Sequence, residues 1–80
     1  MNKTKTEVND EHRVDYIMEY ELGYLSDIQT LHLFSNLVKT GMAWGLQGHY
    51  GRTANSLIEA GYMDTKGVLN QELIEEKNII

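Results

Sequence analysis

The sequence predicts an all-α fold: a small bundle of three main helices plus short helical turns, with helices 1 and 2 paired as an antiparallel hairpin. Three observations carry that expectation. Apolar residues recur at helical spacing in successive stretches. Glycines and capping residues stand where those stretches would stop and start. The 80 residues include no proline.

Residues 1–8 are polar, with Val8 the first aliphatic, and are expected to be a disordered N-terminus ahead of one helical domain at 9–80. Helix 1 is expected from about Asp10 to Leu22. Val14, Ile17, Met18 and Leu22 would form its buried stripe, Asn9 or Asp10 its cap and Gly23 its stop. Helix 2 opens on Ser26-Asp27-Ile28-Gln29, the form of a capping box. Ile28, Leu31, Phe34, Leu37 and Val38 make its inner face, and Gly41 follows as the stop. The turn between the two helices is short, which predicts the hairpin.

Met42 to Gln47 suits a single helical turn carrying Trp44 and Leu46. Helix 3 should start near Gly48 to Tyr50 and end at Gly61, with Tyr50, Ala54, Leu57 and Ile58 inward. Asp64-Thr65-Lys66-Gly67 reads as a turn. Asn70 would cap a last short helix running to about Lys77, with Leu69 and Leu73 inward. Ile79 and Ile80 are either a docking tail or a tail without consequence.

A chain this short buries only about 60% of its unfolded surface, and it has no Cys to form a disulfide. Self-association into a homo-oligomer is therefore expected. The basic start Met1 to Thr6 has no apolar stretch after it, so no signal peptide is expected. No apolar run approaches the roughly 20 residues of a bilayer span, and the protein is expected to be soluble, without membrane insertion.

Net charge is −5, unevenly placed. Ile28 to Ile58 contain no Asp or Glu, whereas the stretch from Glu7 to Asp27 carries Glu7, Asp10, Glu11, Asp15, Glu19, Glu21 and Asp27 against a single Arg13. That balance disfavours DNA, which takes several Lys or Arg on its phosphates, and permits a basic protein surface. A helix-turn-helix reading of helices 2 and 3 would offer Arg52, Thr53, Asn55 and Ser56 to base edges. Only one of them is basic, so DNA is not the expected partner.

The glycine-spaced element Gly45-x-x-Gly48-x-x-Gly51-Arg52-Thr53 precedes a helix. Free backbone N–H groups, a helix dipole and an Arg make Gly48, His49, Gly51, Arg52 and Thr53 a candidate anion site. The element lacks a P-loop ending and no strand precedes it. The competing reading is structural: packing glycines that let helices 2 and 3 approach closely, with Arg52 held by tertiary partners. Trp44 and Tyr50 are expected in the core. Tyr16 and Tyr20, one helical turn apart, together with Glu19 and Tyr24 make a candidate partner-binding surface. His12, His32 and His49 are not at metal-ligand spacing, and no nucleophile accompanies His49. Ser26 reads as a cap, Ser35 and Ser56 as helix-surface residues. No catalytic residue, metal site or cofactor is expected, and the chain is read as not an enzyme.

The runs Tyr16 to Gly23, Leu33 to Gly41, Ala43 to Ala54 and Leu57 to Gly61 resemble a family of small tailed-bacteriophage proteins, functionally uncharacterised, that share a core like Leu46-Gln47-Gly48-His49-Tyr50-Gly51-Arg52-Thr53-Ala54. The resemblance spans Tyr16 to Met63. Two departures are Lys39, where Asp is common, and Gly45, where a longer side chain is usual. The resemblance assigns no catalytic or binding residues. It implies a bacteriophage accessory protein in the host bacterial cytoplasm that binds and modulates, or inhibits, a bacterial host protein. The alternative is an oligomer that holds a phosphate or nucleotide ligand at Gly48 to Arg52.

Overall fold

The computed structural model describes Val8 and residues 11–79. The helices are α1 (Arg13–Glu21), α2 (Asp27–Lys39), α3 (Gly48–Glu59) and α4 (Gln71–Glu76), with a 3-10 turn at Met42–Trp44 between α2 and α3. This is the expected all-α bundle, and α2 is its axis.

The sequence sets the ends of α2 through local chemistry. Ser26 Oγ accepts from the Gln29 N–H at 3.3 Å, while Gln29 Oε1 accepts from the Ser26 N–H at 2.9 Å. This reciprocal bonding satisfies two donors that a helix start otherwise leaves open. At the other end Gly41 adopts φ 79°, a left-handed conformation that costs most side chains about 1–2 kcal/mol. Between these stops Leu31, Leu33, Phe34, Ser35, Leu37 and Val38 are buried. That set spreads beyond one stripe, so α2 is covered on several sides.

One cover is α1, folded back along α2. The sequence placed Val14, Met18 and Leu22 inward, but they are 65%, 56% and 63% exposed. Ile17 packs on the core as expected, and Tyr16 and Tyr20 join it there instead of the other three. The helix is rotated by about a third of a turn from the face that aliphatic spacing suggested. Tyrosine rings bury more surface than these aliphatics while leaving their hydroxyls at the rim, which favours the observed rotation. The expected caps Asn9 and Asp10 lie outside the described residues. His12 occupies the cap position and makes no side-chain cap bond.

A second cover is α3 with the 3-10 turn. Tyr50 and Ala54 are buried, with Leu57 and Ile58 packed beside them, as the spacing predicts. Trp44, expected in the core, is half exposed, and Ala43 takes the buried place in that turn. Three residues of 3-10 helix can turn one side chain fully inward, and the smaller one sits where the backbone comes closest.

The third cover is the segment between α3 and α4, for which the sequence predicted only a turn. Met63 and Leu69 form an isolated antiparallel bridge. Asp64 Oδ1 accepts from the N–H groups of Lys66 at 2.8 Å and Val68 at 3.0 Å, closing the loop. Those two amides hold the Asp64 carboxyl below its ordinary value. Gly67, at φ 88°, presses this loop on α2: an added Cβ would lie 2.7 Å from the Ser35 carbonyl oxygen and 2.8 Å from Lys39 Cγ. Ser35 Oγ in turn donates to the Gly67 carbonyl at 2.5 Å. Ser35 is thus buried and bonded, not the helix-surface residue its polarity suggested. Asn70 caps α4, accepting from the Leu73 N–H at 3.2 Å. Ile74 is the buried residue of α4, and Ile79 packs against the core. Ile80 lies outside the described residues.

Val8 was assigned to a disordered N-terminus, yet it is buried in this same layer. Asn36 Nδ2 donates to its carbonyl at 3.1 Å, so a backbone bond and a core contact hold it. Residues 1–7 lie outside the described residues.

Gly67→Ala is expected to destabilise the fold by at least about 2 kcal/mol, because left-handed strain and a backbone clash add. Urea unfolding monitored by circular dichroism checks this; a midpoint unchanged from wild type would remove Gly67 as a constraint.

Candidate functional site

Four rings join α1, α2 and α3. Tyr20 meets Phe34 edge-on at 5.3 Å, Phe34 stacks on Tyr50 at 6.0 Å, and Tyr20 lies 5.7 Å from Tyr50. His49 sits 4.2 Å from Tyr50 and stacks on Tyr20 at 6.5 Å. Tyr50 is only 2% exposed, and its hydroxyl donates to Glu21 Oε2 at 2.6 Å. Burial first, and then the bond to the Glu21 carboxylate, raise the phenol well above its ordinary pKa of 10.0.

This cluster decides where the expected anion-site residues fall. His49 is half-buried and directed into the rings. Gly51 backs onto the Trp44 ring, where an added Cβ would lie 3.5 Å from Cε3 and 3.6 Å from the Ala43 carbonyl oxygen. The close approach that glycine spacing suggested is therefore to the 3-10 turn, not to α2. Thr53 is half-buried on α3. Arg52 is exposed and folds back over the first turn of its own helix, its Nη1 3.0 Å from where a Gly48 Cβ would stand. Gly48 and Arg52 share one helix start, whereas His49 and Gly51 face other neighbours. The five residues do not line one concavity.

Two cavities lie elsewhere. One of about 530 Å3 is bounded by Val8, His32, Ser35, Asn36, Lys39 and the loop at Val68, Leu69 and Gln71. Asn36 Oδ1 is buried there without a hydrogen-bond partner among the described residues. A smaller one of about 200 Å3 lies between α2, Leu57, Tyr62 and Ile79. Neither includes Gly48, His49, Gly51, Arg52 or Thr53. Among the described residues no group of three or more His, Asp or Glu side chains could hold a metal ion. No helix among them is long and apolar enough to cross a membrane.

The expected partner-binding residues divide in the same way. Glu19 and Tyr24 are exposed, Tyr24 by 73%, while Tyr16 and Tyr20 are turned against the core. In exchange Val14, Met18 and Leu22 stand outward at four-residue spacing, forming one ridge along α1. Beside the ridge lie the exposed carboxylates of Asp15 and Glu19, with Glu11 exposed before the helix start. Arg13 points the other way, donating from Nη1 to Met42 Sδ at 2.9 Å. The Tyr24 N–H donates to the Glu19 carbonyl at 2.9 Å, which sets the aromatic ring just past the end of the ridge. Of the six large hydrophobic residues exposed among the described residues, Val14, Met18, Leu22 and Tyr24 lie on or beside this face. Sequence reasoning recognised these aliphatics as a stripe and assigned them to the opposite side of the helix.

The model of one family, a domain of unknown function (DUF7417), matches residues 10–78, and the chain belongs to that family. No curated protein and no solved structure matches it.

Tyr50→Phe is expected to cost about 1 kcal/mol, a net hydrogen-bond value, since it frees an exposed carboxylate to water. The pH dependence has a definite sign. The folded chain keeps the Tyr50 proton after the unfolded chain has lost it, so stability is complete below about pH 10 and falls as pH rises beyond it. Urea midpoints across that range should fall less steeply in Tyr50→Phe than in wild type. Gly51→Ala should leave stability unchanged or raise it by up to about 1 kcal/mol, because the added methyl meets ordinary contact distances inside a helix. Thermal unfolding reads that outcome.

Proposed function

We propose that this protein is a small bacteriophage accessory protein that acts by contact, binding a bacterial host protein in the host cytoplasm and inhibiting or redirecting it. One observation carries the contact reading. The core is closed by Phe34, Leu37, Tyr50 and Ala54, yet three aliphatic side chains on α1 and its C-cap remain more than half exposed in a row. A contiguous apolar face rimmed by polar and charged groups is the mark of an association surface. The bacteriophage context rests on the resemblance carried by Leu46 to Ala54 and its flanking runs, and the host partner follows from that context.

The anion-binding alternative receives less support, because His49 and Gly51 are occupied by Tyr20, Tyr50 and Trp44. A solvent-exposed Arg over a helix start remains, outside the two cavities described above. Nothing about Tyr50 and Glu21 suits them to turnover either, since the phenol is buried and its proton is held more tightly than usual.

The tagged full chain, incubated with bacterial lysate at physiological salt, should retain a host protein in near-equal amount, identified by mass spectrometry. Recovery of no protein above a tag-only control would overturn the contact reading. So would turnover of a metabolite by the purified chain that is lost on His49→Ala or Arg52→Ala.

A further inference from the structure

We infer that the outer face of α1 receives a basic amphipathic helix: an apolar helix face edged with Lys or Arg that belongs to the partner protein. This rests on the contact reading above and specifies the chemistry of the partner. Val14, Met18 and Leu22 form an i±4 ridge, the kind that seats in the groove of a second helix. The ridge spans about 12 Å, two helical turns, and Tyr24 extends it past Gly23. It therefore suits a short helical segment rather than a broad flat surface.

Charge selects among possible occupants. Asp15 and Glu19 run along one edge of the ridge and Glu11 stands at its start, all exposed. Glu21, on the other edge, is tied to Tyr50. The cation on the helix, Arg13, is turned toward Met42. A second copy of the chain fits poorly: antiparallel two-fold pairing of the ridges would place Asp15 and Glu19 of both copies along the same edge. An anionic membrane surface meets the same repulsion. A segment with Lys or Arg beside its apolar face pairs with Glu11, Asp15 and Glu19, and like-charge exclusion supplies the specificity.

Two synthetic helical peptides of about 18 residues test this, one of Leu and Lys, the other of Leu and Glu in the same apolar pattern. Each is titrated into the isotopically labelled full chain and followed by amide resonances. The Leu/Lys peptide should shift Val14, Met18, Leu22 and Tyr24, and the Leu/Glu peptide should not. Raising salt from about 50 to about 300 mM should weaken binding by about 5-fold.

Met18→Glu should weaken it by about 10-fold or more, as expected of a central anchor. That substitution adds an acid, so attraction by charge alone would tighten binding instead. Asp15→Lys with Glu19→Lys should reverse the preference between the two peptides. All these positions are exposed, and unchanged thermal unfolding of each variant confirms that the fold is intact.

The inference is overturned if both peptides bind equally or neither binds, or if the shifts fall outside α1. It is equally overturned by a dimer that sedimentation equilibrium detects and Met18→Glu abolishes, or by vesicle binding through the same ridge. Failure here alongside a host protein recovered from lysate would leave the contact reading in place and move the surface elsewhere. Failure of both experiments would remove the reading itself.

Discussion

A buried phenol sets the terms for the rest of this molecule. Tyr50 fills the centre of the interface between α1, α2 and α3, and a hydroxyl so enclosed needs a partner. Glu21, the last residue of α1, supplies it. That bond and the stacking of Tyr20 on the same cluster leave α1 one rotation about its axis. The positions beside Tyr20 then face inward, and Val14, Met18 and Leu22 face out. The uncovered ridge therefore follows from the ring contacts of Tyr20 together with the Glu21 bond, which fix this rotation. It is not left over from poor packing.

A second constraint acts on another side of α2, at Ser35 and Lys39. The loop that follows α3 comes so near the α2 backbone that a residue with a side chain would collide with Ser35 and Lys39. Ser35 adds a hydrogen bond across that approach. Val8 and Leu69 line the cavity beside it. Together the two constraints clasp α2 from two sides, which explains how a chain of 80 residues encloses a central helix without disulfides.

The candidate surface was half legible in the sequence. Acids crowded into the residues before α2, set against an acid-free stretch from Ile28 to Ile58, point to α1 as the charged side of the molecule. Glu19 and Tyr24 follow from that and are exposed. Tyr16 and Tyr20 are half-buried against the core, because α1 carries two apolar stripes, one aliphatic and one aromatic. Periodicity detects both and ranks neither. The ranking comes from Phe34 and Tyr50, which lie far along the chain and present a ring surface that aromatic neighbours match.

What the sequence determined by itself was local: the capping box at Ser26, the glycine stops at Gly23, Gly41 and Gly61, the Asn70 cap, and the helical periods between them. Each depends on bonds or dihedral angles within a few residues, so neighbours in the chain suffice to fix it. Only tertiary structure decided which side of α1 is buried, that Ser35 and Gly67 meet, that Val8 joins the core, and that Trp44 yields its place to Ala43. Those outcomes turn on distances between segments some thirty residues apart, where the fit of ring, backbone and hydroxyl outweighs the spacing of apolar residues along any one helix.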